Sequence, residues 1–288
     1  MSAALRAELD AKTSPAEAAA AFAYLRDLVR ARSAMAIEDG KEYLVEARLA
    51  DLARQRSRSS VWDLLLWLRS QPLGQDHTAV VEAMTTNETS FFRDPGVFDG
   101  IRDVALPDLV SRRVSEHRLS VWSAACSTGQ EPYSLAMLFA EHAAMVGSWD
   151  VRIIATDLTS WVIDRARAGR FTKLEVNRGL PAKCLLRWFA QVGTEWEVVP
   201  ELRKSIEFRQ LNLVGPWPHL PAMDLVLLRN VLIYFPVATK KQVLAQVRTV
   251  LRPDGYLILG NAETTLNLDH HFERVELKGS TAFRLISG

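Results

Sequence analysis

Hydrophobic residues recur at helical spacing along the first part of the chain. One such stripe covers residues 22–29, and Pro15 marks the start of its helix, because proline is favoured in the first helical turn. Similar stripes follow at residues 43–52 and 61–68, with polar segments between them. No strand-like alternation appears in this region. The pattern therefore predicts three or four short helices that form a small all-helical domain over residues 16–82.

Beyond about residue 98, short apolar runs rich in β-branched residues alternate with helical stretches near residues 131–145 and 159–168. Strands that alternate with helices predict βαβ units and a parallel sheet. The predicted strands are Leu119–Ala124, Val151–Thr156, Ile206–Leu211, Asp224–Leu228 and Tyr256–Leu259.

Two further runs, Phe272–Leu277 and Thr281–Ile286, flank Lys278-Gly279-Ser280 and predict a terminal hairpin. The last strand should then lie antiparallel to its neighbours. The prediction is a doubly wound α/β sheet of about seven strands over residues 99–288, joined to the helical domain by a linker at 83–98.

The stretch at residues 170–205 is too long for a plain crossover between two strands. It contains a helical segment over Pro181–Phe189 and a hairpin signal at Gly193-Thr194, before the strand-like Glu195–Val199. We therefore expect a small inserted subdomain at the edge of the sheet.

Composition narrows the class of protein. The chain has 288 residues with 35 Lys and Arg against 34 Asp and Glu, and this near-neutral charge argues against a nucleic-acid binder. Two cysteines, Cys126 and Cys184, make no disulfide framework and fit a reducing compartment. Arg6, Glu8 and Asp10 interrupt the apolar segment that a secretory leader needs.

The longest apolar run extends from Asp224 to Phe235, and Arg229 interrupts it. It is shorter than the roughly 20 residues that cross a bilayer, so it predicts a buried strand rather than a membrane span. The six histidines and two cysteines form no cluster with metal-ligand spacing. We expect a cytoplasmic protein with no direct membrane insertion, no metal and no nucleic-acid partner.

Candidate chemistry begins at the turn that follows the first predicted strand, residues 124–131. Small residues there let a ligand approach the backbone, although the single glycine, Gly129, is a poor match to a dinucleotide fingerprint. Asp157 closes the second predicted strand, where a carboxylate can accept hydrogen bonds from both hydroxyls of a ribose. The alternative for Asp157 is an N-cap of the next helix.

Polar residues also follow other predicted strands. Asn212-Leu213 and Arg229-Asn230 lie where ligands bind in open α/β sheets, and an asparagine can pair with an adenine edge or simply cap a loop. The linker segment at 85–95 concentrates hydroxyls, an amide, two aromatic rings and an arginine where a bland connection would be ordinary.

Together these segments resemble the CheR-type family, S-adenosylmethionine-dependent methyltransferases that esterify glutamates of bacterial chemoreceptors. The resemblance covers nearly the whole chain, in the order of the family. Its most specific strings are TTNETSFFRDP (85–95), VWSAACSTGQEPY (121–133), LRNVLIYF (228–235) and LRPDG (251–255). The resemblance implies a Rossmann-like methyltransferase sheet with a helical N-terminal domain.

Carried over position by position, the resemblance assigns three groups of residues. Tyr234 would lie beside the reacting methyl group, and Arg93 would hold a carboxylate of the cofactor or of the substrate. Arg48 and Arg54 match basic positions of the helix that faces the receptor. The implied S-adenosylmethionine contacts are Asn87, Thr89, Arg93, Glu131, Asp157, Asn212, Leu213, Arg229 and Asn230.

The chain departs from the family pattern in two places. Asn261-Ala262-Glu263 stands where many members carry His-Ser-Glu. The insertion near residues 190–200 is shorter than in members that grip a receptor's C-terminal pentapeptide, which argues against that tethering mode here.

Methylation of a glutamate needs no general base, because a carboxyl with a pKa of about 4.3 is ionised at neutral pH. The resemblance therefore predicts transfer of methyl to glutamates on the cytoplasmic helices of chemoreceptors, giving γ-methyl esters and S-adenosylhomocysteine. One alternative is a catalytically idle module that senses the cofactor and docks signalling proteins. Another is a small-molecule methyltransferase, which the arginine-bearing helical domain disfavours.

Overall fold

A computed structural model describes residues 13–286 of the chain. These residues form two compact units. One contains the residues through Thr86 together with Tyr234–Pro236, and the other contains Asn87–Ile233 and the chain from Val237 onward. Arg6, Glu8 and Asp10, on which the expectation about a leader depends, lie outside the described residues.

The first unit is built from four helices, α1 (Pro15–Ser33), α2 (Glu42–Gln55), α3 (Val61–Arg69) and α4 (Gln75–Met84). Helix α1 begins at the predicted proline, and Ser14 forms a capping box with Glu17, whose carboxylate accepts the Ser14 N–H at 2.8 Å. Leu25, Leu49 and Leu64 are completely buried among the four helices. The predicted stripes at 22–29 and 61–68 therefore face the core, whereas the buried side of α2 is Val45, Leu49 and Ala53, and Tyr43 of the predicted stripe is 65% exposed.

The second unit continues the helix numbering, and a π-helical turn over Ile101–Ala105 joins its first two helices. The helices are α5 (Pro95–Gly100), α6 (Leu106–Arg112), α7 (Gln130–Glu141), α8 (Ala143–Val146), α9 (Ser160–Ala168), α10 (Lys173–Val176), α11 (Ala182–Trp188), α12 (Pro200–Lys204) and α13 (Val237–Val250). The strands are β1 (Arg118–Ala124), β2 (Asp150–Asp157), β3 (Arg170–Thr172), β4 (Phe189–Val192), β5 (Glu195–Val198), β6 (Ile206–Gln210), β7 (Met223–Leu228), β8 (Leu251–Leu259), β9 (Phe272–Leu277) and β10 (Ser280–Leu285).

Seven strands form one sheet in the order β6-β2-β1-β7-β8-β10-β9. Strands β6, β2, β1, β7 and β8 run parallel, and β10 is antiparallel to both β8 and β9. The Rossmann-like sheet with an antiparallel last strand is thus confirmed. The carboxyl ends of β1, β2 and β7 meet at one edge, which is where ligands bind in such sheets.

Strand β7 ends at Leu228, as the predicted strand Asp224–Leu228 does. The rest of the apolar run to Phe235 is not strand: Asn230 adopts the left-handed conformation, with φ of 57°, and a 3-10 turn follows over Leu232–Tyr234. The predicted start of the next strand at Tyr256 was wrong, because β8 begins at Leu251.

The insertion carries a second sheet of three short strands in the order β3-β5-β4. Strands β4 and β5 form the hairpin predicted around Gly193, whose φ is 62°. Strand β5 also pairs antiparallel with β3. This small sheet interrupts the connection between α9 and β6, the edge strand of the large sheet.

Candidate active site

The turn after β1 has an unusual backbone. Ala125 and Ser127 adopt positive φ of 55° and 50°, and Gly129 has φ of 97°. Residues with a Cβ are strained in this region, and such strain collects at ligand sites. Gly129 is required for a second reason, since a Cβ there would lie 2.9 Å from the Cβ of Ala166 in α9.

Cys126 lies inside the same turn and is almost completely buried. Its main-chain N–H donates to the carbonyl of Thr156 at 2.9 Å, which ties the turn to the end of β2. Burial raises the pKa of the Cys126 thiol well above its ordinary value. The thiol is therefore a packing group and not a nucleophile.

Asp157 ends β2 with its carboxylate buried against this turn. One oxygen accepts the N–H of Ser127 at 2.8 Å, and the other accepts the N–H of Thr159 at 3.1 Å. Thr159, not Asp157, occupies the N-cap position of α9. The main chain of Leu158 and the side chain of Thr159 also donate to this carboxylate. Burial nevertheless raises the pKa of Asp157.

The linker segment is joined to the same turn. The hydroxyl of Ser127 donates to the carbonyl of Asn87 at 2.7 Å, and the N–H of Phe92 donates to Ser134 Oγ at 2.9 Å. Arg93 donates one guanidinium N–H to the carbonyl of Glu88 at 3.1 Å. Thr89, in the same segment, is half-buried. The structure thus brings Asn87 close to the turn beside Asp157.

Arg229 is the most buried charged side chain of this region, with 2% exposure. Its guanidinium donates to Glu131 at 2.8 Å, to Asp94 at 2.6 Å and to the carbonyl of Arg93 at 2.8 Å. Glu131 in turn accepts the hydroxyl of Ser123 at 2.7 Å. Arg229 and Glu131 therefore pair with each other, and a direct contact of either with a cofactor stays a prediction.

The segment after β6 forms a turn of its own. The side-chain oxygen of Asn212 accepts the N–H of Val214 at 3.0 Å, and the carbonyl of Leu213 accepts the indole N–H of Trp217 at 3.1 Å. The N–H of Leu211 donates to the carbonyl of Asp157 at 2.8 Å. This bond fixes the 211–217 segment beside the buried carboxylate.

Three predicted residues belong to the helical unit. The Arg48 guanidinium donates to the carbonyl of Met84 and, at 2.9 Å, to Thr86 Oγ1. Arg54 is 72% exposed and pairs with Asp51. Tyr234 is half-buried at the end of the 3-10 turn. Their predicted roles toward receptor and substrate stay predictions.

Sequence reasoning missed several residues that build this region. Asp94 and Ser123 bind the Arg229–Glu131 pair, and Ser127 joins the linker to Asp157. Glu263 accepts the N–H of Asn230 at 2.8 Å. Asp94 and Ser127 lie inside the strings that carried the resemblance, but their partners are remote in sequence.

Among residues 13–286, no group of three or more His, Cys, Asp or Glu side chains is arranged to hold a metal ion. In the same part of the chain, no helix is long and apolar enough to cross a membrane.

Comparison with known proteins identifies the family. Residues 87–280 match the family model "CheR methyltransferase, SAM binding domain", and residues 20–85 match "CheR methyltransferase, all-alpha domain". The chain is 38% identical over 267 residues to chemotaxis protein methyltransferase 1 of Pseudomonas aeruginosa, covering 91% of this chain and 97% of that protein. It is 36% identical over 259 residues to chemotaxis protein methyltransferase Cher2 of Pseudomonas putida, covering 88% and 94%.

Among solved structures, a TehB-like SAM-dependent methyltransferase from Corynebacterium glutamicum matches with a TM-score of 0.37 and 14% identity. That match covers 58% of this chain and 80% of the other. The family models match most of the chain, and the relatives are similar over nearly their full lengths. The chain therefore belongs to the CheR methyltransferase family.

Proposed function

We propose that this protein transfers a methyl group from S-adenosylmethionine to glutamate carboxylates of methyl-accepting chemotaxis receptors, with release of S-adenosylhomocysteine. Membership of the family and the names of its relatives support this function. The acceptor glutamates lie, in this proposal, on cytoplasmic helices of the receptor.

The observation that carries the proposal is the buried carboxylate of Asp157, which ends β2 against the turn at 125–129. A buried carboxylate with a raised pKa gains most from new donors, and the two hydroxyls of a ribose supply them. The strained turn at 125–129 lies directly against it. These residues fit a nucleoside, so we assign Asp157 to the ribose and the Asn212-Leu213 turn to the adenine.

The remaining predicted contacts fit the amino-acid end of S-adenosylmethionine. The Arg229 guanidinium holds the carbonyl of Arg93 and the side chain of Asp94, which fixes the backbone from which the Arg93 side chain extends. In our proposal Arg93 binds a carboxylate, and Asn87, Thr89, Glu131 and Asn230 complete the pocket.

When bound, S-adenosylmethionine supplies a sulfonium-activated methyl group for in-line displacement. The protein need not remove a proton, because the acceptor glutamate is already ionised at neutral pH. Its own contribution is to align the acceptor and exclude water. We assign to the Tyr234 hydroxyl the orientation of one acceptor oxygen, since a neutral donor orients a carboxylate without cancelling its charge.

Arg54 is the sharper of the two predicted docking residues. Arg48 already donates to the end of α4 and to Thr86, whereas Arg54 is exposed beside a single carboxylate. Reversing both arginines to Glu should abolish receptor methylation and leave donor affinity unchanged. Arg54→Glu alone tests docking without disturbing the end of α4, and it should lower kcat/KM for the receptor most at low salt.

The deciding experiment measures transfer of labelled methyl from S-adenosylmethionine to a purified cytoplasmic receptor fragment. We expect base-labile label in the fragment with the wild-type protein and none with Asp157→Ala. Donor binding by calorimetry without any base-labile label would instead support the idle docking module. Label in small molecules but not in the fragment would support the small-molecule enzyme, and either result would overturn the proposal.

A further inference from the structure

Glu263 gathers main-chain N–H groups from three places. One carboxylate oxygen accepts the N–H of Gly260 at 2.7 Å and the N–H of Asn230 at 2.8 Å, and the other oxygen accepts the N–H of Ile233 at 3.2 Å. Within residues 13–286, every hydrogen bond recorded for this carboxylate comes from the main chain. The Glu263 carboxylate therefore binds main-chain N–H groups, and no ion pair with another described residue is recorded for it.

These three groups belong to the ends of two neighbouring strands. Gly260 directly follows β8, and Asn230 and Ile233 lie in the segment after β7. The approach is close: a Cβ on Gly260 would lie 2.7 Å from the Glu263 carboxylate and 2.8 Å from the Asn230 nitrogen. The carboxylate therefore fastens the segment after β7 to the end of β8.

The side chain at this place must accept on both of its terminal atoms. A carboxylate accepts on both oxygens, while an amide accepts on one. The bonds also offset the cost of the left-handed conformation of Asn230, whose φ is 57°.

We propose that Glu263 is a positioning residue that sets the conformation of the 230–233 segment for methyl transfer. The inference rests on the proposed function, because Asn230 is assigned there to the donor pocket, and Tyr234, which directly follows Ile233, to the acceptor. Through one oxygen Glu263 holds the donor side, at Asn230. Through the other it holds the main chain that leads into Tyr234.

The two oxygens can be tested separately. In Glu263→Gln the single amide oxygen still serves Gly260 and Asn230, but the NH2 group faces the N–H of Ile233 and cannot accept from it. This variant should lower kcat about tenfold at saturating receptor fragment, while the Kd for S-adenosylhomocysteine changes less than twofold. Glu263→Ala releases all three N–H groups, so it should also weaken S-adenosylhomocysteine binding at least fivefold.

A readout independent of activity is amide hydrogen exchange. In Glu263→Gln the amide of Ile233 should lose protection, while the amides of Asn230 and Gly260 keep theirs. Glu276→Gln, an exposed glutamate on β9, is the matched control and should change none of these quantities.

Wild-type kcat in Glu263→Gln, or equal loss of donor affinity in the Gln and Ala variants, would overturn the inference. So would a loss of kcat that disappears when the variant is assayed at a temperature where it is fully folded. If the wild-type protein methylates no receptor, the proposed function fails, but the exchange and binding arms still decide whether Glu263 holds the segment. If Glu263→Ala does not fold, the Gln variant carries the test.

Discussion

Each end of the large sheet has a buried arginine, and the two arginines differ in which carboxylates they bind. At the amino end, Arg113 donates to Asp224 at 2.7 Å and to Asp254 at 2.9 Å. Asp224 is fully buried and also accepts the N–H of Ser120 at 2.8 Å. At the carboxyl end, Arg229 serves the Glu131 and Asp94 carboxylates, but no cation is recorded on Asp157 among the described residues.

The pKa values of Asp254, at the amino end, and Asp157, at the carboxyl end, are shifted in opposite directions. Hydrogen bonds from Arg113 lower the pKa of Asp254, whereas burial raises the pKa of Asp157. At the amino end, the protein's own arginine thus pairs with the Asp224 and Asp254 carboxylates. At the carboxyl end, Asp157 is held by main-chain and hydroxyl donors and by no cation recorded among the described residues, and a ligand with two hydroxyls can add to these donors.

The largest effects are expected from replacing Arg113 or Arg229, and the two variants should differ in stability and in donor affinity. Arg113→Met removes the cation that hydrogen-bonds to the buried Asp224 carboxylate and leaves only Arg252, at 3.4 Å, so it should lower the free energy of unfolding by up to about 3–5 kcal/mol. Arg229→Met should cost less stability, because Glu131 and Asp94 are partly exposed, but it should weaken S-adenosylhomocysteine binding at least tenfold. Urea unfolding and calorimetry measure the two quantities. Equal losses of donor affinity in both variants would break the comparison.

The next largest effect is a difference in donor binding between variants of Asp157 and Asp254. Asp157→Asn should weaken donor binding by about 10- to 100-fold, because a charge-assisted hydrogen bond is worth roughly 1.5–3 kcal/mol. Asp254→Asn should leave donor binding unchanged. 5′-Methylthioadenosine is the sharper probe, since it keeps the ribose and lacks the amino-acid group.

Asp254 and Asp157 should change the stability of the fold with pH in opposite directions. The lowered pKa of Asp254 stabilises the fold above the ordinary value of 3.8, and this contribution is lost as the pH falls through the lowered pKa. The raised pKa of Asp157 contributes stability that is present below 3.8 and is lost as the pH rises through the raised pKa. Asp254→Asn should therefore flatten the acid loss of stability, and Asp157→Asn should steepen it. Parallel pH profiles of urea midpoints would contradict this assignment.

The smallest expected effects come from peripheral bonds. Ser127→Ala removes the bond to the Asn87 carbonyl, which should cost about 1 kcal/mol of stability and a few-fold in donor affinity. Arg118→Ala removes an exposed pair with Asp150 at the opposite end and should cost at most about 0.5 kcal/mol, with no change in donor affinity. Donor affinity that is insensitive to Ser127→Ala would show that the linker is not coupled to the pocket.

Local pattern predicted the fold well, because most parallel strands contain short apolar runs and most helices have one buried and one exposed side. It failed to show how the apolar run continues after β7, where Asn230 has a positive φ and a 3-10 turn follows. It also failed at Leu251, where Pro253 and Asp254 hide the first half of β8.

The sequence predicted which residues belong to the candidate site, but it did not predict which of them hydrogen-bond to one another. Asp157 was accessible to sequence reasoning because it closes a predicted strand. The bonds of Arg229 were not, because Asp94 and Glu131 lie far away in the chain and only the folded sheet brings them together. Which residues touch the cofactor and which hold other residues in place is decided by such long-range pairs.

The small three-stranded sheet has a consequence for how this enzyme family can diversify. Helix α9 packs against both β2 and β6, so it already completes the crossover that the large sheet requires. Phe171 and Phe189 of the small sheet pack against Phe91 of the linker, so the part of this connection that can change most freely is the exposed tip of the β4–β5 hairpin at Gly193. A protein engineer could graft new recognition elements there and retarget the enzyme while its methyl-donor chemistry stays intact.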